Sequence, residues 1–286
     1  TNNLKQIGIA LTTYESAHRE YPPGRLGCDN WTGDDCTGFS ASDPRRNDVS
    51  GFVLLLPHLE NQPLYDVMQP GEADGIYARS NAAWKTPQKL EALATRPPVF
   101  VCPSSTSKSH LEINDNLGVN INWEPKPATG TYAFVAGING PTYTDSWKRV
   151  KHNTGVFHYV ASTKIRAITD GLSHTAFAGE VVNAHDINTR NIWSLAMRQL
   201  DCLRTTEWPL NGPIPPVPVP GGWRNNGRVY TAGFGSEHPG GALFVRGDAS
   251  VDFVSESVDT AAYNAMATIR CEDGVGPGTH NCNEDY

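Results

Sequence analysis

The stretch SEHPGGALFVRGDASVDF, residues 236–253, constrains the fold more than any other part of the chain. Leu243, Phe244 and Val245 form one apolar run, and Val251, Phe253 and Val254 form a second. Between them, Arg246-Gly247-Asp248-Ala249-Ser250 has turn chemistry: glycine supplies any φ > 0 position, and Asp and Ser bond nearby amides. His238-Pro239-Gly240-Gly241 is a breaker cluster that lets the chain enter the first run sharply. The pattern predicts a β-hairpin, and a hairpin cannot bury its apolar face alone. The long amphipathic helix without an obvious partner lies at the opposite end of the chain, so the two termini are expected to meet.

That helix is written in Leu4, Ile7, Leu11 and Tyr14, which fall at i, i+3, i+7 and i+10 and predict one apolar stripe over residues 3–19. Lys5, Gln6, Glu15 and Arg19 occupy its other faces, and Tyr21-Pro22-Pro23-Gly24 ends it, because a residue before proline is pushed out of the α region. Residues 51–68 carry a helical pattern (Phe52, Leu55, Leu56, Leu59, Leu64) interrupted by Pro57 and Pro63, which predicts a broken helix or two short ones. Thr86-Pro87 reads as an N-cap followed by an N1 proline, opening a helix to about Ala94. Short strands are expected over 98–103, 131–136 and 175–182, the last after the turn signal Ile168-Thr169-Asp170-Gly171. Residues 208–223 are proline-rich and read as an exposed, polyproline-like loop. Asp259 is placed to cap a short helix with Tyr263, Met266 and Ile269 on one side.

A chain of 286 residues with a formal charge of −7 can bury a sizeable core, and its lack of a basic patch argues against a nucleic-acid partner. The six cysteines have no metal-ligand spacing. Cys28 with Cys36, and Cys271 with Cys282, would each close a short polar loop, leaving Cys102 and Cys202 as a long-range third bridge. Sequence alone does not settle the connectivity. Bridges of this kind place the protein in an oxidising compartment, outside the cytoplasm. No signal peptide and no apolar run of about 20 residues is present, and a helical pattern starting directly at Thr1 reads as the continuation of a missing upstream segment.

The chemistry-bearing residues favour plain structural roles. His238 and Asp248 could form a proton-transfer pair, but a turn-stabilising histidine and a turn aspartate explain them better, and no Ser or Cys stands in a nucleophile-elbow context. Arg246-Gly247-Asp248 spells an adhesion tripeptide that its turn already explains. Asp29, Asn30, Asp34 and Asp35 could offer Ca²⁺ hard oxygen ligands, as could Asp170 with backbone carbonyls, yet the spacing fits no EF-hand and a solvated acidic loop is the better account. The nine histidines contain no HxH or HxxxH pair, so a zinc site has no support in the sequence. Phosphate-binding glycine loops are absent. The seven tryptophans, mostly in loop-like segments, could stack on sugars or pin loops onto a core.

Asn2-Asn3-Leu4-Lys5-Gln6-Ile7-Gly8 together with Tyr21-Pro22-Pro23-Gly24 resembles a large family of envelope proteins of unknown function abundant in planctomycete-type bacteria. LLLPHLENQPLY (54–65), VFVCPS (99–104), ITDGLSHTAFAGE (168–180) and the 236–253 hairpin with its trailing helix match the same family, in order. The residues that carry the match are Asn3, Leu4, Gln6, Gly8, Pro22, Pro23, Asp170, Gly171, Glu180, His238, Gly240, Gly241 and Asp248. Members of the family look like type IV pilins and pseudopilins, with a prepilin signal, a long apolar N-terminal helix and a globular domain built on its continuation. The hairpin tip departs from the family's Asp-Gly-Ser: Ala249 follows Asp248, and alanine is disfavoured at φ > 0.

The resemblance implies an α+β, pilin-like domain spanning 1–286, its N-terminal helix packed on an antiparallel sheet with long disulfide-bonded loops. It implies a non-enzymatic structural subunit of the cell envelope, extracytoplasmic and anchored or assembled with similar subunits through the missing apolar helix. An exported protein that binds a carbohydrate or other solute is the alternative. No cofactor is expected, Ca²⁺ being the one candidate.

Overall fold

In a computed structural model, residues 1–27, 49–71, 86–111, 124–140, 153–182, 191–196, 202–213 and 232–270 are described. The first helix, α1 (Asn2–His18), ends where Arg19 turns left-handed at φ 65° and its amide closes on Glu15 O. Leu4, Ile7, Gly8, Ala10 and Leu11 form its buried stripe, as the periodicity predicts, while Ile9 on another face is 50 % exposed. Both prolines break the next apolar run. Helix α2 (Gly51–Leu54) gives way to a 3-10 turn (Leu56–Leu59) and then to α3 (Gln62–Met68). Helix α4 (Pro87–Ala94) opens with Thr86 Oγ1 accepting the Lys89 amide, the expected cap.

The sheet has five strands in the order β3-β1-β2-β4-β5: β1 (Tyr132–Gly137), β2 (Ala176–Glu180), β3 (Leu203–Thr205), β4 (Gly241–Arg246) and β5 (Val251–Ser255). β1–β2, β2–β4 and β4–β5 are antiparallel, but β3 runs parallel to β1, so the sheet is mixed rather than wholly antiparallel. β4 and β5 are the expected hairpin, in register from Gly241↔Ser255 to Val245↔Val251. Helix α5 (Thr260–Ala265) follows, with Asp259 Oδ1 accepting the amides of Ala261 and Ala262.

The opening helix meets the late hairpin. α1 packs across β4 and β2, and its Leu4, Ile7 and Leu11 share one core with Val245, Phe134, Phe157 and Phe177. On the other side of the sheet, Phe244, Phe234, Tyr263 and Met266 form a second cluster under α5. Gly8 lies in this contact, where a Cβ would lie 2.6 Å from Val245 Cγ2 and 2.9 Å from Ala249 Cβ. Ala249 is left-handed after all, at φ 63°. Its Cβ is buried against the bare face of Gly8, so the disfavoured conformation is offset by a contact that glycine would not make.

Three further expectations change. Residues 98–103 contain no strand: Pro98–Phe100 is a 3-10 turn. β3 has no counterpart among the expected strands. Cys102 and Cys202 are buried but not joined, since Cys202 Sγ lies 3.5 Å from Gly24 O while Cys102 Sγ faces Ser104 and His238. Cys28, Cys36, Cys271 and Cys282, the acidic loop of Asp29, Asn30, Asp34 and Asp35, and residues 214–223 of the proline-rich stretch lie outside the described residues.

Candidate functional site

Three segments far apart in sequence converge at one end of the sheet. Glu180 ends β2 opposite Tyr132 of β1 in the antiparallel register, which puts their side chains on one face. Glu180 is 2 % exposed, and its Oε2 accepts the Leu243 amide at 2.8 Å. His238 enters from the turn before β4, where its amide bonds Ser236 Oγ at 2.8 Å and Gly240, at φ 81°, swings the chain into the strand. Cys102 arrives from the segment after the 98–100 turn, its amide held by Thr131 Oγ1 at 2.6 Å.

The side chains meet at one imidazole nitrogen. His238 Nε2 lies 3.2 Å from Glu180 Oε1, 3.5 Å from Cys102 Sγ and 3.3 Å from Ser104 Oγ. Glu180 Oε1 is buried without a hydrogen-bond partner, so its closeness to His238 Nε2 lacks hydrogen-bond alignment. The Tyr132 phenol sits beside Cys102 and Asn3, and its pKa is pushed well above the usual phenol value, first by burial and then by the neighbouring Cys102 and Glu180 charges. Around this core, Glu237 takes the Thr106 amide at 2.6 Å and its hydroxyl at 2.9 Å, tying the Cys102 segment to the His238 turn. Asn3 of α1 donates to Pro98 O and Val101 O at 2.9 and 2.7 Å, anchoring the same segment from below. His238 also borders an open cleft of about 390 Å³, lined in part by Trp208, Arg204, Asn211 and Glu256.

The pairing of His238 with Asp248 is not made: the whole of β4 separates them. Asp248 caps the hairpin tip, accepting Ser250 N at 2.8 Å and Ser250 Oγ at 2.6 Å. Burial alone would raise its pKa, but these bonds, its own amide and nearby Lys5 hold it below the usual carboxylate value. Arg246 of the adhesion-like tripeptide is engaged within the fold, with Asp252 and with His174 O. Asp170 accepts Thr268 Oγ1 at 2.9 Å and so fastens the segment after α5. Of the other residues that carry the family match, Leu4 and Gly8 are core, Pro22 and Pro23 are buried, Gln6 is exposed, Gly171 is left-handed at φ 89°, and Gly241 abuts β5. Trp193 is a core residue stacked on Phe100.

Cys102, Glu180 and His238 each offer one ligand atom, all within 4.8 Å of one another, and among the described residues they are the group able to hold a metal ion. No local motif announces them. The indirect signal was that VFVCPS, AFAGE and SEHPGG each belong to a block of the family match.

Fold and site together define an α+β protein in which an amphipathic N-terminal helix is docked on a mixed sheet and helps hold a thiol–imidazole–carboxylate cluster. Residues 1–261 match the family model SBP_bac_10, described as a protein of unknown function (DUF1559), and the chain belongs to that family. Searches of the curated proteins and of the solved structures each found no match. No helix among the described residues is long and apolar enough to cross a membrane.

Proposed function

We propose that the protein is a structural, non-enzymatic subunit of the cell envelope, built like a type IV pilin or pseudopilin. The observation that carries this is the docking of α1: one face of a 17-residue helix is buried on β4 and β2, the arrangement expected where an apolar segment and a globular domain share one helix. Such a segment would anchor the protein in a membrane or bundle with those of similar subunits, on the extracytoplasmic side. A structural role also accords with the cluster at His238. Carboxylate and thiol both face Nε2, whereas a catalytic triad needs the acid on the far nitrogen to orient the base.

The coding sequence upstream of Thr1 tests the proposal. A prepilin cleavage site followed by about 20 apolar residues in helical continuity with α1 is expected. A polar leader, or a second globular domain joined by a flexible linker, would refute it.

The cleft beside His238 favours a second reading, a surface that binds a sugar or another small solute, because Trp208 gives it an aromatic wall. Titrating tryptophan fluorescence with polysaccharides tests it: a saturable change supports binding, and flat responses leave the structural role alone.

A further inference from the structure

We infer that Cys102, Glu180 and His238 form a binding site for a divalent metal ion of the zinc class. It is a staple joining three segments of the chain. The evidence lies in where the ligand atoms point. A hydrogen-bonded relay would string thiol, imidazole and carboxylate in a row, using both ring nitrogens. Here sulfur and carboxylate oxygen lie 3.5 and 3.2 Å from the same nitrogen, Nε2.

The two separations from Nε2 match edges of a coordination sphere, and sulfur and carboxylate oxygen lie within 4.8 Å of each other. Tetrahedral Zn²⁺, with bonds of about 2.3 Å to sulfur and about 2.0–2.1 Å to nitrogen and oxygen, sets S···N at about 3.6 Å and N···O at about 3.3 Å. A neutral imidazole has at most one proton on Nε2 and cannot satisfy both neighbours, and Glu180 Oε1 is indeed buried with no hydrogen bond. A carboxylate atom in that state costs stability unless something positive faces it. A divalent ion would supply that charge, balancing one carboxylate and one thiolate, with the Cys102 proton released on binding.

The chemistry of the donors selects the metal. Thiolate, imidazole and carboxylate suit Zn²⁺ and its relatives, while Ca²⁺ and Mg²⁺ prefer oxygen throughout. Supporting contacts already orient the ligands: the Leu243 amide holds the other Glu180 oxygen, and Thr131 holds the Cys102 amide. Ser104 Oγ, 3.1 Å from the sulfur and 3.3 Å from Nε2, brings a further oxygen to the cluster, and it or a water would complete the sphere.

Zn²⁺ and Co²⁺, added singly to the reduced, chelator-treated protein, test the site. One Co²⁺ per chain is expected, with a thiolate-to-cobalt charge-transfer band and the strong visible bands of tetrahedral cobalt. Zn²⁺ should displace it and raise the Tm above that of the chelated protein. Cys102→Ser should abolish the charge-transfer band. His238→Ala, at a side chain 31 % exposed and therefore compatible with the fold, should weaken Zn²⁺ by more than about 100-fold, the upper end for losing an outer-shell partner. His110→Ala, away from the cluster, should change neither. Circular dichroism confirms that each variant is folded. Reduced wild type that binds neither ion overturns the inference, as does a charge-transfer band that survives Cys102→Ser.

Discussion

Replacing Gly8 by alanine sets two effects of opposite sign against each other. In an exposed helix interior the change stabilises by about 1 kcal/mol, through helix propensity. In α1 the new methyl would lie 2.6 Å from Val245 Cγ2 and 2.9 Å from both Cα and Cβ of Ala249. Forcing a methyl into a packed interface costs about 1–3 kcal/mol. Packing wins, and Gly8→Ala should destabilise the protein by about 1 kcal/mol net. The opposite change, Ala249→Gly, relieves left-handed strain of about 1–2 kcal/mol but gives up a buried methyl worth about 0.8 kcal/mol and costs about 0.5–1 kcal/mol in added freedom of the unfolded chain, so alone it should be near neutral. With both changes the Gly8→Ala methyl gains room, and a favourable coupling of about 0.5–1 kcal/mol is expected. Urea denaturation of the four proteins measures each corner of the cycle. A stabilising Gly8→Ala, or a coupling of zero, would show that the opening helix does not rest on the hairpin.

Ile7→Ala, at a fully buried position of α1, should cost about 2–5 kcal/mol, whereas Ile9→Ala, half exposed on another face, should stay within about 0.5 kcal/mol; denaturant midpoints compare them. The folded Asp248 carboxyl lies below its ordinary value of 3.8, so its contribution is complete above that pH and is lost as pH falls through the folded value. Thermal melts across this range should show a decline that Asp248→Asn lessens, and equal pH slopes would contradict the assignment. Peptide mapping without reduction should recover Cys102 and Cys202 as alkylated thiols, and a peptide linking the two would contradict the fold.

Much of the scaffold was legible because its signals are local. The Leu4/Ile7/Leu11 stripe, the Thr86-Pro87 cap and the Asp248 turn each need only a few neighbouring residues, and each forms as expected. The hairpin's need for cover pointed to α1 because few other apolar surfaces were unclaimed. β3 escaped notice: three residues carry no periodicity, and its parallel partner β1 lies far upstream. Residues 98–103 looked like a strand because Val99, Phe100 and Val101 are β-formers, but Pro98 opens a 3-10 turn and Asn3 draws two carbonyls of the segment, those of Pro98 and Val101, toward α1. Pairing Cys102 with Cys202 by elimination assumed that every cysteine is bridged, and packing placed the two thiols against different partners.

The site was hidden for a related reason. Cys102 and His238 are 136 residues apart, and neither stands in a motif that names a ligand. The register of β1 against β2, the turn into β4 and the tethering of the Cys102 segment by Thr131 and Asn3 together bring thiol, imidazole and carboxylate to one point. Individual blocks of the family match gave each residue a place, but its partners became visible only in the folded chain.

The envelope role is tested most directly by locating the native protein in the cells that make it. Cells are sheared, lysed and fractionated, and the protein is traced with an antibody to the folded domain. Recovery with the membranes or the sheared surface filaments, released from membranes by detergent but not by salt, is the result expected. Recovery with the soluble cytoplasmic proteins would contradict it.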